Sequence, residues 1–456
     1  MRRIMVVGAL ALLAFLPPAA TARRPGQRAP QLKFVKYKLS NGLEVILHPD
    51  KSLPLVAVNV WYHVGAVDER PGRTGFAHLF EHVMFQGSAH VGDDMHFKYL
   101  QRAGVSSVNG TTSFDRTNYF QTVPRNQLAL ALWLESDRMG FLLPALTADK
   151  LNKQRLVVKN ERRQRYDNRP YGKAEEVLCQ ALYPAPHPYG GCVIGTMKDL
   201  SAASLGDVKS FFKKYYTPAN ATLTLAGDFD VDEAKKLVTR YFGPLQGAPR
   251  PKRTLPSRPV HKKETRLELW DRVRFPKVII GWVSPAFFEK GDADLDLLSQ
   301  VLEHGKTSRL YKSLVYQQKL VQESVSAYQR SAQAGSMFVV SAMASGKHTA
   351  AEVEAGLLGV LGQVALRGVT GAELSRARTV IETGTMMSLQ RVGARANMLQ
   401  RYNLYKGDPG WLGQDLLRYR KATRRSVQAA ARSLVKDKGR VVIHVLPLVP
   451  PSGGAR

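Results

Sequence analysis

The first regular stretch, LKFVKYKLSNGLEVILHPD, alternates apolar and polar residues on both sides of Asn41-Gly42. A period of two puts every second side chain on one sheet face, and Asn-Gly suits a tight turn, so a hairpin is predicted. LVAVNVWYHVG is a near-continuous β-branched and aromatic run and predicts a central strand. From Gly75 to Phe85 the spacing switches to that of a helix. RNQLALALWLESDRMGFL and TADKLNKQRLVVKNERRQRYDN predict two further helices, the second opening on a Thr-Ala-Asp cap. NATLTLAGDF then reads as a strand and VDEAKKLVTRYF as the helix after it.

The pattern breaks at GPLQGAPRPKRTLPSRPVHKK, residues 243–263, which is rich in Pro and in Lys and Arg and has no apolar period. It reads as an interdomain linker. Beyond it the order recurs: RLELW and KVIIGWV as strands, ADLDLLSQVLEH and SRLYKSLVYQQKL as helices, SMFVVSAMA as a strand. Two helical stretches and a closing strand, RVVIHVLP, follow. Two similar α/β domains are therefore expected, 23–242 and 264–447, with a tail at 448–456. The length of 456 residues suits two domains of about 200 each. Shared element order suggests an internal duplication.

An apolar share of 44% supports sizeable cores and excludes a disordered chain. Lys and Arg number 66 against 37 Asp and Glu, a net charge of +29. Nucleic acid, an anionic membrane surface or an acidic protein would suit that balance. The cations are spread along the whole chain and no RNA- or DNA-binding motif accompanies them, so no nucleic-acid partner is expected.

The N-terminus carries Arg2 and Arg3, an apolar run from Ile4 to Leu16, and then Ala20-Thr21-Ala22. The run is shorter than the ~20 residues of a membrane-spanning helix, and the small residues fit a cleavage site. A signal peptide over 1–22 is expected, cleaved near Ala22, with a periplasmic or secreted mature chain; an uncleaved anchor is the other reading. No later stretch is long and apolar enough to span a bilayer. The two cysteines, Cys179 and Cys192, either pair across their loop or stay as buried thiols.

Chemistry concentrates at His78-Leu79-Phe80-Glu81-His82. On a helix, residues 78 and 82 lie one turn apart and present two imidazoles on one face, with Glu81 beside His78. Two neutral histidines suit Zn²⁺, a third protein ligand leaves one position open, and a nearby carboxylate can act as general base. The order is H-x-x-E-H, the reverse of the commoner H-E-x-x-H. A third ligand would be a carboxylate on another helix. Glu161, in VVKNERRQ, follows the apolar pair Val157-Val158; it is either that ligand or an exposed helical Glu among Arg and Lys.

Together these stretches resemble the M16, or pitrilysin, metallopeptidase family. GRTGFAHLFEHVMFQGS looks like its zinc helix, VNGTTSFDRTNYFQTVP its substrate-binding edge strand, and VVKNERRQRYDNRPYG its distal glutamate segment. HPYGGCVIGTMKDLSAASLGDVKSFFKKYYTPANATLTLAGDF resembles the end of its first domain. The resemblance implies an α+β fold, each domain a mainly antiparallel sheet packed with helices. It implies one Zn²⁺ held by His78, His82 and Glu161, with Glu81 as base. It also implies an extended peptide substrate pairing with Asn109, Gly110, Thr111 and Thr112. From the residues alone, Asn-Gly-Thr-Thr reads as a turn and strand start.

Two departures stand out. The family often carries a glutamate seven positions before the distal ligand, where this chain has Gln154. Self-sufficient members carry an Arg and a Tyr in the second domain, where this chain has Val315 and Gln322. Neither can donate to a developing oxyanion as those would. Arg309, Tyr311, Tyr316 and Tyr328 are near but out of register. The resemblance thus implies a dimer, either with a related second chain supplying the Arg/Tyr pair or with another copy. A non-catalytic, peptide-binding or structural subunit is the alternative.

Overall fold

The computed structural model describes residues 30–448. The expected signal segment 1–22 lies outside the described residues, as do 449–456 of the expected tail.

The first sheet is built from β1 (Val35–Lys38), β2 (Glu44–Pro49), β3 (Leu55–Tyr62), β4 (Ser107–Thr112), β5 (Thr117–Pro124) and β6 (Ala221–Gly227). Their spatial order is β1-β2-β6-β3-β5-β4. The second sheet holds β7 (Thr265–Asp271), β8 (Lys277–Ser284), β9 (Val321–Arg330), β10 (Ser336–Ala344) and β11 (Val441–Pro447), in the order β7-β11-β8-β10-β9. All pairings are antiparallel except β2 with β6 and β7 with β11. With β1 set aside, the two sheets have the same order and the same single parallel pair. The mixed α/β fold is thus a pair of like-built units. The run read as a central strand is β3, flanked by β5 and β6.

Period two is visible in how β3 divides its side chains. Val56, Val58, Val60 and Tyr62 enter a core with Leu79, Phe80, Val83 and Leu132. Ala57, with Ala226 of β6, faces the opposite way and meets Val392 and Ala396. Those last two residues belong to the helix Val392–Lys406, which comes from the second half of the chain. Its buried Gln400 donates to the carbonyls of Asn59 and Thr222 at 3.0 and 2.7 Å. The exchange is reciprocal. Leu178 and Leu182, on the first-half helix Lys173–Leu182, pack with Ile279, Val339 and Ile443 of the second sheet. Gly281 lies beneath them, and a Cβ there would come within 2.7 Å of Leu178 Cδ1. Glycine here suits the close approach of these leucines and is not called for by backbone angle.

Residues 243–263 contain no helix or strand. Arg253 in this stretch donates to both Asp68 carboxylate oxygens (3.0 and 2.6 Å), to the carbonyls of His63 and Asp115, and to Gln333 Oε1. Cys179 and Cys192 form a disulfide, with Cα atoms 5.8 Å apart. Among the described residues no single helix is long and apolar enough to cross a membrane.

Two local expectations change, and one strand is not foreseen in the sequence. SRLYKSLVYQQKL is wound as a π-helix over Tyr311–Gln317. VQESVSAYQR, with no clear apolar period, is the edge strand β9; with one side unpaired it need not be apolar. Between β10 and β11 the two expected helical stretches are five helices: Ala350–Arg367, Gly371–Ser388, Val392–Lys406, Leu412–Lys421 and Arg424–Lys436. Short breaks separate them, two followed by capping boxes at Thr370/Glu373 and Thr423/Ser426.

Candidate metal centre

The helix Phe76–Val83 carries the two histidines. It begins at Gly75, whose φ of +83° lies in the left-handed region that favours glycine. A Cβ there would also lie 2.5 Å from the Ile194 carbonyl oxygen. The buried Glu69 carboxylate accepts from the N–H groups of Gly75 and Ala77, both at 2.9 Å. It thereby satisfies donors that a helix start leaves open. Burial pushes Glu69 up to about 8, against the pull of those two N–H groups. Asp199 Oδ2 accepts from the backbone N–H and hydroxyl of Thr74 at 3.1 and 2.5 Å. With Phe76, Leu79, Phe80 and Val83 sunk in the core, the helix is fixed at its base and along one face.

Glu161 lies on the helix Ala148–Arg162, whose N-cap Thr147 accepts from the Lys150 N–H at 3.3 Å. The pair before it is not wholly buried as the sequence suggested. Val158 is buried, but Val157 is 45% exposed, because neighbours on a helix point about 100° apart. Arg162, next to Glu161, donates to the Gly195 carbonyl at 3.0 Å and to Glu176 at 2.7 Å. Gly195 packs against Thr74 and Gly75. The two helices are thus braced to each other at their ends.

His78, His82 and Glu161 converge. Glu161 Oε2 lies 3.6 Å from His78 Nε2 and 3.2 Å from His82 Nε2. One ligand atom from each residue falls within a 4.8 Å span. Tetrahedral ligands at ~2.1 Å from an ion would be spaced by about 3.4 Å, so the set fits a divalent cation. Burial, followed by the charge of His82, pushes His78 down to about 4, favouring the neutral ring that can ligate. Glu161 sits below its ordinary range: burial opposes this, but the His82 hydrogen bond and the charges of His78 and Arg165 outweigh it. Arg165 Nη2 approaches Glu161 Oε1 at 3.1 Å. His78 Nδ1 is buried without a hydrogen-bond partner among the described residues. Gln154 is half-buried and its side chain makes no hydrogen bond among the described residues.

Glu81 faces the outer strand. Asn109, Gly110, Thr111 and Thr112 all lie within β4, at the sheet edge; the turn is the next segment, Ser113–Arg116. Thr112 Oγ1 donates to Glu81 Oε2 at 2.7 Å. A Cβ on Gly110 would lie 2.9 Å from Glu81 Cγ, so only glycine lets the carboxylate this close. Thr111 points the other way and donates to Asn118 Oδ1 at 2.5 Å. Asn109 is exposed, its Oδ1 accepting from the Gly110 N–H at 2.9 Å. Burial raises the Glu81 pKa, and Glu161 adds to this; Thr112, His82 and Arg116 oppose it.

In the second unit, Val315 packs against the apolar core and Gln322 lies on β9. Arg309 is held by both oxygens of Glu373 at 2.5 and 2.8 Å, so it is no free donor. Sequence reasoning missed Glu69, Asp199 and Arg162, whose partners are set only by tertiary folding.

A His–His–Glu cluster beside an open strand edge, on one of two like-built α/β units, is the scaffold of a metallopeptidase-like protein. Residues 44–187 match the family described as insulinase (peptidase family M16), and residues 202–381 match the peptidase M16 inactive domain. The chain belongs to the M16 peptidase family. It is 31% identical to zinc protease PqqE of Helicobacter pylori over 76% of this chain and 78% of that one. It is 23% identical to the uncharacterized zinc protease YmxG of Bacillus subtilis over 92% and 98% of the two chains. A crystal structure of a protease from Helicobacter pylori matches with a TM-score of 0.84 and 27% identity, covering 91% of this chain and all (100%) of that one. A putative M16-like peptidase from Alicyclobacillus acidocaldarius shares the fold at a TM-score of 0.79 and 23% identity, over 92% and 99%.

Proposed function

We propose that this chain is a zinc endopeptidase that hydrolyses extended peptides or small unfolded proteins outside the cytoplasm. The observation that carries the reading is the approach of Glu161 Oε2 to both imidazole Nε2 atoms, at 3.6 and 3.2 Å. In this reading His78, His82 and Glu161 hold the ion. Zinc bound there supplies Lewis acidity, which makes water acidic enough to lose a proton near neutral pH and polarises a carbonyl.

Glu81 then serves as general base, taking a proton on a carboxylate oxygen and passing it to the leaving amine. Thr112 orients that carboxylate through its 2.7 Å hydrogen bond. The free side of β4 receives the peptide main chain by strand addition, with Asn109 to Thr112 as the pairing residues. Gly110 keeps the route between strand and base open.

The lack of an Arg/Tyr pair at Val315 and Gln322 supports a partner subunit of the same family that supplies those donors; a homodimer is the other assembly. The apolar run and Ala20-Thr21-Ala22 support export with cleavage near Ala22. A second reading, a non-catalytic peptide-binding subunit, is favoured by those same missing donors and by the match of residues 202–381 to an inactive domain.

The deciding experiment is zinc analysis together with cleavage of a quenched peptide library, on the chain alone and with a co-expressed family member. Glu81→Gln is expected to retain about one zinc per chain and to lose hydrolysis by several orders of magnitude. Zinc-loaded chain that cuts no peptide in either state would favour the non-catalytic reading.

A further inference from the structure

Behind β4, on the face turned away from Glu81, a cavity of about 600 Å³ opens between the sheet and the start of the helix Val392–Lys406. Ser107 and Thr111 of β4, Asn118 of β5, Arg116, Arg391 and Asn397 line it. The cavity therefore reaches the very strand to which a peptide would add.

Arg116 is the unusual member. Its Nη1 donates to the Thr111 carbonyl at 2.8 Å, to Thr111 Oγ1 at 2.5 Å and to Asn118 Oδ1 at 2.8 Å. Its guanidinium carbon sits 5.0 Å from the Trp61 ring centroid. These contacts fix the plane of the fork. Yet Nε and Nη2 make no hydrogen bond, and the guanidinium pairs with no carboxylate among the described residues. Arg391, exposed at the helix start, likewise has no side-chain partner among them. The cavity thus has two cations on its walls and no acidic residue among those that line it.

A peptide paired with β4 alternates its side chains between the two sheet faces. Those level with Gly110 and Thr112 fall on the Glu81 side, and those level with Ser107, Asn109 and Thr111 fall on the cavity side. We propose that the cavity is a subsite for an acidic side chain of the peptide, and that Arg116 and Arg391 are the residues selecting it. The inference rests on the peptidase reading above and adds a substrate class to it: peptides carrying Asp or Glu an odd number of positions from the residue beside the base. A guanidinium held flat, with donors unused, is suited to a carboxylate, whereas a Lys side chain entering the same cavity meets two like charges.

The test uses the full zinc-loaded chain, alone and with its co-expressed family member. A set of peptides of equal composition carries one Glu moved a single position at a time, and a matched set carries Lys. Mass spectrometry locates each cut, and kcat/KM is measured for each peptide. The expected result is a period of two. Glu at one parity relative to the cut raises kcat/KM by about tenfold over Lys, and at the other parity it has little effect. Arg391→Glu, which breaks no side-chain hydrogen bond or ion pair among the described residues, is expected to flatten or reverse that preference, and Arg116→Gln to flatten it, mainly through KM.

General attraction to a chain of net charge +29 would favour Glu at both parities alike, and that result would overturn the subsite while leaving the peptidase reading intact. Cleavage of none of the peptides would remove the peptidase reading and the subsite with it.

Discussion

Thr112 on the outer strand gives its hydroxyl hydrogen to Glu81 on the histidine helix, at 2.7 Å. The segment proposed to receive substrate and the group proposed to move the proton are therefore directly joined. Thr112→Val removes that hydrogen bond, together with the longer one that Thr112 Oγ1 accepts from Thr117 at 3.4 Å, at nearly constant volume. It is expected to lower kcat about ten- to a hundredfold, with zinc content and KM close to the parent. A full set of steady-state constants checks this. Unchanged kcat would mean that the contact does not orient the carboxylate.

Gly110→Ala tests the close approach from the other side. The added methyl meets Glu81 Cγ at 2.9 Å and Phe85 Cε2 at 3.2 Å, so strand or carboxylate must shift. Overpacking of this kind costs about 1–3 kcal/mol. The expected outcome is a loss of activity on the order of a hundredfold, because catalysis is sensitive to displacements of about 1 Å. Zinc should still bind, since no ligand moves directly.

Glu69 closes the first turn of the histidine helix without touching the metal cluster. Glu69→Ala leaves the Gly75 and Ala77 N–H groups without their acceptors. A buried donor left unpaired costs roughly 1–3 kcal/mol, so a clear fall in Tm is expected. A weaker zinc affinity should accompany it, read by competition with a chelator. An intact Tm would show that water replaces the carboxylate there.

The Arg309–Glu373 pair gives a pH signature far from the site. Burial alone would raise the Glu373 pKa, but Arg309 and the Thr370 N–H hold it down to about 2. A carboxylate depressed on folding adds stability above its unfolded pKa, and this is lost as pH falls toward its folded value. The Tm difference between the parent and Glu373→Gln should therefore shrink between about pH 4.5 and pH 2. Thermal melts across that range check it; a constant difference would contradict the assigned ion pair.

Much of this was readable in the chain because the signals are local. H-x-x-E-H needs only a helix to bring His78 and His82 to one face. The alternation in β1 and the apolar runs of β2 and β3 announce their strands. What escaped depends on distant partners. β9 is polar because an edge strand need not be buried on both sides. Val157 resembled Val158 in sequence, and only the angle at which the helix packs separates them. Asn109 to Thr112 read as a turn and strand start by composition, yet pairing with β5 makes all four part of the strand. Glu69 and Arg162 carry no motif, and their value as braces exists only once loop and helix meet.

The crossing of the helices Lys173–Leu182 and Val392–Lys406 between the two halves bears on how this chain can be handled. Each half roofs the other's sheet, so neither makes an autonomous fragment. A protease nick within 243–263 should leave an interlocked pair that co-elutes, while excision of the histidine-bearing half alone would bare Ala57, Ala226 and the polar carbonyls served by Gln400. The pair of sheets should melt in one cooperative step.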